Sequence, residues 1–215
     1  MNKTFFLPIA LLLLFSCVST KTKIEDYFVE EEKIENYNLY GYIKFGLTRW
    51  DYNFKYNGVL ITGNIINKYS RHFIDFKIGE KILTGNIYFK NNKYNIDASY
   101  DGAIVSGDIT IQNNTEIWKI LFNDKTLEGS IFESFDYYKF DLFLDKVKLS
   151  GTRSKNAGQD LLSLDFDKRY IIGLIKSGFG DKRYLLNAGA LSDEEILFFL
   201  LSDAIRLIRD GENRR

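Results

Sequence analysis

Six ionisable residues hold positions where a curled sheet would turn them inward near its rim: His72, Glu116, Glu133, Arg153, Lys155 and Asp160. Carboxylates beside cations could move protons, or could hold the polar end of an apolar ligand at the mouth of a cavity. The same residues could equally form cross-strand ion pairs that only hold strands together. Their phasing places Lys155 opposite Asp160 and Asn67 opposite His72. No more specific chemistry emerges. A chain with one histidine has no HExxH helix and no multi-histidine metal site. No GxSxG stretch occurs, and Gly178-Phe179-Gly180 is too short for a phosphate loop and reads as a hairpin connection. The expectation is a protein that is not an enzyme and needs neither cofactor nor metal.

The remaining reactive group is Cys17, the only cysteine, so intramolecular disulfides and thiolate metal sites are excluded. Lys3 precedes an apolar run over residues 5–15, too short to span a bilayer, and the run ends in Leu14-Phe15-Ser16-Cys17. This motif resembles the lipobox of bacterial lipoproteins. The resemblance implies cleavage of residues 1–16 as a signal peptide, diacylation of the Cys17 thiol and acylation of the new amine. Several acyl chains make a stable anchor without a transmembrane helix. Val18, not an acidic residue, follows the cysteine; by resemblance to enterobacterial sorting this implies the outer membrane. Residues 17–38 are polar and rich in glutamate, and read as an acidic tether with a short helical piece around residues 24–34.

The elements that must position the six inward residues follow from glycine spacing. Gly41, Gly63, Gly85, Gly107, Gly129, Gly151 and Gly173 each lie 22 residues after the last. A fixed period of this length marks an array of one supersecondary unit. In the third copy, residues 82–90 and 93–100 alternate apolar and polar, with Asn91-Asn92 and Asp101-Gly102 as hairpin turns. The register across Asp101-Gly102 sets Ile96 against Gly107, and that across Asn91-Asn92 sets Ile87 against Ile96. Both turns put the same apolar side chains on one face, and a one-residue slip would reverse every one of them. The opposite face is wet, with Thr62, Asn64, Thr84, Asn86, Ser106 and Asp108.

Residues 39–189 therefore read as a mainly β, curled or barrel-like antiparallel meander of about fourteen strands, two per repeat. Each repeat advances the register by two residues per two strands. A closed barrel with that ratio has shear equal to strand number, a tilt near ~36° and a radius of roughly 12 Å. The repeated glycine is expected to relieve crowding against something packed on the concave face. The alternative is close approach of a ligand to the backbone.

Residues 190–215 supply a cover for that face. Ser192 and Glu195 form a capping box. A helix over 193–209 is apolar nearly all round, Arg206 and Arg209 suit its C-terminal dipole, and Gly211 is expected to stop it. Such a helix matches the strands in length and would plug the curled sheet.

The repeats are loosely similar to MORN repeats, on Tyr40-Gly41 and the stretch from Tyr56-Asn57-Gly58 to Gly63. Later copies such as Asn123-Asp124-Lys125 lack the second glycine. The resemblance implies a non-catalytic interaction or membrane-associated module. Basic and acidic residues balance at 29 each, and loss of Lys3 with the leader leaves the charge near −1, which disfavours nucleic acid as a partner. The functional expectation is a membrane-anchored envelope lipoprotein acting as a structural or interaction module with a possible protein partner. The alternative is a carrier of a lipid or other apolar ligand inside the curled sheet.

Overall fold

The computed structural model describes residues 36–68 and 70–212; the leader, Cys17 and most of the acidic tether lie outside the described residues. The strands follow one another from Leu39–Phe45 (β1), Arg49–Tyr56 (β2), Val59–Lys68 (β3) and Arg71–Ile78 (β4) to Lys81–Lys90 (β5) and Lys93–Tyr100 (β6). Ala103–Gln112 (β7), Thr115–Phe122 (β8), Lys125–Glu133 (β9) and Tyr137–Leu144 (β10) continue the series. It ends with Val147–Ser154 (β11), Gln159–Phe166 (β12), Arg169–Ser177 (β13), Asp181–Ala188 (β14) and the helix Asp193–Glu212 (α1).

Each strand pairs antiparallel with its neighbours in sequence, and β1 pairs with β14 to close a fourteen-stranded barrel. The register is the one that the turns require: Ile96 faces Gly107 on one side and Ile87 on the other. Asn57, Asp101, Asn123, Asp145 and Asp167 take φ values of 46–67°, which short polar side chains tolerate in two-residue hairpin turns. The closing seam continues the same pattern. Gly63 faces Tyr52 and Phe76, and Gly41 faces Tyr184 and Phe54. Thus β14 stands to β1 as β2 stands to β3, and seven repeats close the ring with no break in the stagger.

The glycine column has a different cause from the one expected. A Cβ on Gly107 would lie 2.1 Å from the Lys119 carbonyl oxygen and 2.7 Å from Ile120 Cα, both in the next strand's backbone. At all seven repeat glycines the obstructing backbone belongs to the following strand, so the barrel wall itself, not α1, excludes a side chain. Gly107, Gly129, Gly151 and Gly173 also take φ values of 139–153°, which L side chains rarely adopt.

Inside, α1 runs along the barrel axis, and residues 195–208 are all buried. Phe198 meets the rings of Trp118, Phe140 and Phe166, while Phe199 meets Phe54 and Tyr184 on the opposite wall. Contacts on both sides of the helix explain why it is apolar nearly all round. At ~30 Å for twenty residues it matches the height of the wall. The helix continues through Gly211 to Glu212 rather than stopping before it. A glycine in a last turn costs only about 1 kcal/mol, and exposure already rises at Arg209 and Asp210, where the helix leaves the core. The outward mid-strand positions Asn53, Asp75, Asp97, Lys119, Asp141 and Ser163 are polar and the seventh, Leu185, is apolar, while other outward positions such as Leu60, Ile82, Ile104, Leu121 and Phe143 expose large apolar side chains.

Candidate functional site

The helix enters at one mouth of the barrel, here the proximal mouth, and ends at the distal mouth. The capping box forms as the sequence specifies: the Ser192 amide donates to Glu195 Oε2 (2.8 Å) and the Glu195 amide donates to Ser192 Oγ (3.4 Å). The three acids of the first turn then meet three cations of the wall. Lys81 pairs with Asp193, Lys125 with Glu194 (2.5 Å) and Arg169 with Glu195 (2.7 Å). These cations open β5, β9 and β13, the same position in every second repeat. Burial alone would raise the Glu194 carboxyl, but the bond and charge of Lys125, its own backbone amide and the Ser192 side chain together outweigh it and hold the group below the ordinary range. Burial raises Glu195.

The distal mouth gathers the expected inward residues. Glu116 is 1% exposed and accepts bonds from Trp118 Nε1 (2.9 Å) and Arg209 Nη1 (2.8 Å), with Arg206 at 3.9 Å. Arg209 also binds Glu133, which in turn binds Lys155 (2.5 Å). A second group links Arg153 to Asp160 (2.8 Å) and to Asp203 of α1 (3.3 Å), and the Tyr184 hydroxyl donates to Asp203 (2.8 Å). Arg206 lies over the rings of Tyr138 and Phe140, 4.7 and 4.9 Å from their centroids. His72 bonds through Nδ1 to Asn67 on the neighbouring strand (2.8 Å).

Five of the six residues therefore join through α1, while the bond of His72 lies on the β3–β4 ladder, where the phasing puts it. The pairing of Lys155 with Asp160 is replaced. The β11–β12 ladder stops at Arg153 and Leu162, and the longer connection beyond it frees Lys155 to turn to Glu133, leaving Asp160 to Arg153. Glu116, His72 and Arg153 are buried within the wall rather than standing on an open rim.

Electrostatics follow burial. Burial drives the Tyr184 and Tyr52 hydroxyls well above the ordinary tyrosine value, and the Asp203 charge adds to it. Burial pushes Tyr138 up to about 12. Burial would lower Arg153, but Asp203, Tyr184 and Asp160 outweigh it and hold the guanidinium firmly charged. Burial lowers the amines of Lys155 and Lys182. The tyrosines are thus driven away from neutrality and the two lysine amines toward it, while Glu116, Glu133, Asp160 and Asp203 are engaged by arginines of the same chain. An open depression of about 550 Å³ at this mouth is bounded by Phe89, Tyr94, Ile111, Glu133, Arg209 and Asp210. Among the described residues no group of three His, Cys, Asp or Glu could hold a metal ion, and no helix is long and apolar enough to cross a membrane.

Sequence reasoning missed the partners on α1 and the proximal clamp. A signal for both was present. The position four before the repeat glycine reads Lys81, Lys125 and Arg169 in alternate copies, matching three consecutive acids after Ser192. Inward charge is concentrated in strands β8 to β12, matching Asp203, Arg206 and Arg209. No protein-family model, no characterised protein and no solved structure matches the chain.

Proposed function

We propose that this chain is a lipid-tethered protein of the bacterial envelope, held through acylated Cys17, and that its barrel serves as a non-catalytic structural or interaction module. The observation that carries the second half is the occupation of the barrel by its own helix. The inward groups that could do chemistry are tied to α1: Glu116 and Glu133 to Arg209, and Arg153 to Asp203. A barrel filled in this way offers partners its outer wall and its two mouths. The lipobox-like Leu14-Phe15-Ser16-Cys17 supports the tether, and Val18 after it supports the outer membrane.

Metabolic labelling with a radiolabelled fatty acid tests the tether. Label should enter the wild-type chain and be lost in Cys17→Ala; label retained in the variant would sink the tether. Native mass spectrometry of the purified protein tests the module. The expected mass is that of the acylated chain alone. A co-purified lipid or other apolar ligand, which would have to displace α1 or share its space, would instead favour a carrier.

A further inference from the structure

Three large apolar side chains are almost wholly solvent-exposed on loops: Leu47 at 97%, Phe135 at 98% and Phe179 at 110% of the reference exposure. All three stand at the distal mouth. They occupy the β1–β2, β9–β10 and β13–β14 connections, and every connection from an odd-numbered to the next even-numbered strand lies at that end. The Arg209–Glu133 pair fixes it as the end where α1 finishes.

The three loops share one architecture. Each has three residues: Gly46-Leu47-Thr48, Ser134-Phe135-Asp136 and Gly178-Phe179-Gly180. Each is closed by the first residue's amide donating to the carbonyl of the residue after the loop: Gly46 to Arg49 (2.8 Å), Ser134 to Tyr137 (2.8 Å) and Gly178 to Asp181 (3.0 Å). In each, the apolar residue is the second, at the tip. The β5–β6 and β7–β8 turns at the same end have two residues each, Asn91-Asn92 and Asn113-Asn114, and carry no apolar tip. Single exposed apolar side chains are ordinary on protein surfaces. The same residue class at the same place in three like loops on one rim is a pattern, and none of the three tips contributes burial to the fold.

Basic side chains gather on part of the distal rim. The strand ends from β1 to β6 at the distal mouth carry Lys44, Arg49, Lys68, Arg71, Lys90 and Lys93, and the same mouth carries Glu133, Asp136, Asp160 and Asp181 elsewhere on its rim; at the proximal mouth Glu80, Asp101, Asp124, Asp145 and Asp167 are interspersed with Lys81, Lys125, Lys146, Lys168 and Arg169. Arg49 is paired with Asp51, and Lys93 with Asp108. Leu47 therefore stands between basic strand ends, while Glu133, Asp136 and Asp181 lie beside the other two tips.

We propose that the distal mouth is a lipid-bilayer docking face, with Leu47, Phe135 and Phe179 dipping into the headgroup–acyl boundary of an anionic leaflet while the basic strand ends lie against its headgroups. On a ring of ~12 Å radius these loops stand roughly 10–23 Å apart and are not collinear, so they define a plane across the barrel end. Polar groups separate them, among them Lys155, Asn156 and Glu133. A protein partner would need a continuous, well-packed apolar centre. A bilayer accepts separate apolar points, and its anionic lipids complement the basic part of the rim. The docking goes beyond the acyl tether: β1 leaves the tether at the proximal mouth, so the two contacts would hold the barrel from opposite ends.

The test uses the full-length acylated protein reconstituted into vesicles of phosphatidylcholine with phosphatidylglycerol, some lipids carrying a nitroxide near the headgroup. Leu47→Cys, Phe135→Cys and Phe179→Cys are labelled singly with a fluorescent maleimide, and Lys146→Cys in a proximal turn is the control. Lipid quenching should be strong at all three tips and weak at position 146, and should fall in phosphatidylcholine alone. Adding Phe135→Ser to the Phe179→Cys chain should reduce the docked population by about tenfold, the factor expected for one partly buried phenyl ring. Quenching at the tips no greater than at position 146 would overturn the docking. So would protection that appears only when envelope proteins are added, which would assign the face to a protein. Dye uptake by the wild-type chain would mean that Cys17 is free and would count against the tether alone; the tips are then read in a Cys17→Ser background with added vesicles.

Discussion

Replacing Gly107 by alanine isolates the geometry on which the barrel depends. The new Cβ would overlap the Lys119 carbonyl oxygen at 2.1 Å and Ile120 Cα at 2.7 Å, and neither is the movable end of a side chain. The backbone at Gly107 also has φ +151°, a conformation that L side chains rarely adopt. Strain of that kind costs about 1–3 kcal/mol, and forced overpacking adds about 1–3 kcal/mol. A total near 4 kcal/mol corresponds to a fall in Tm of roughly 8–16 °C for a domain of this size. Ser106→Ala, one residue away on the outer face, should change stability by less than about 0.5 kcal/mol. Gly85→Ala separates the two contributions: its Cβ would meet Ala98 Cα at 2.3 Å, but no positive φ accompanies it. Its cost should therefore fall below that of Gly107→Ala. Calorimetric melting of the three variants measures the order. A Gly107→Ala protein melting within about 2 °C of wild type, a shift of under 1 kcal/mol, would show that the wall has room for a side chain and that the glycine column has another cause.

Glu116→Ala should destabilise by about 3 kcal/mol, because it leaves the buried Arg206 without its carboxylate and Arg209 with Glu133 alone. Adding Arg209→Met should recover part of the loss in a denaturant double-mutant cycle, and strict additivity would refute the coupling. Lys182 gives a pH signature. Burial, with Arg153 nearby, holds its amine below the ordinary 10.5 in the folded state. Between the folded and unfolded values the unfolded chain binds more protons, so stability rises with pH toward the ordinary lysine value. Lys182→Met should be more stable than wild type near neutrality and should flatten that rise in urea titrations taken up toward the ordinary lysine value. An unchanged slope would remove Lys182 as its source.

Much of the architecture was legible because it is local. A hairpin's register is set by its own turn, so Asn91-Asn92 and Asp101-Gly102 determined which side chains face inward, and the 22-residue period carried that result through all fourteen strands. The stagger, the capping box of Ser192 and Glu195, and the apolar circumference of α1 are local in the same sense. The tertiary structure decided what depends on groups distant in the chain. Closure needed Gly41 to meet Tyr184, which the period permits but does not compel, since an open sheet satisfies every hairpin equally well. The glycine column pointed to crowding, yet only the closed wall shows that the obstacle is the next strand's backbone. The partners of the charged residues were hidden for the same reason. Glu116 and Arg209 are 93 positions apart, and their meeting depends on how far α1 slides into the barrel and how it is rotated. That docking is settled by rings packing on both walls and by charges at both mouths acting together, a sum over the whole molecule that no stretch of sequence contains.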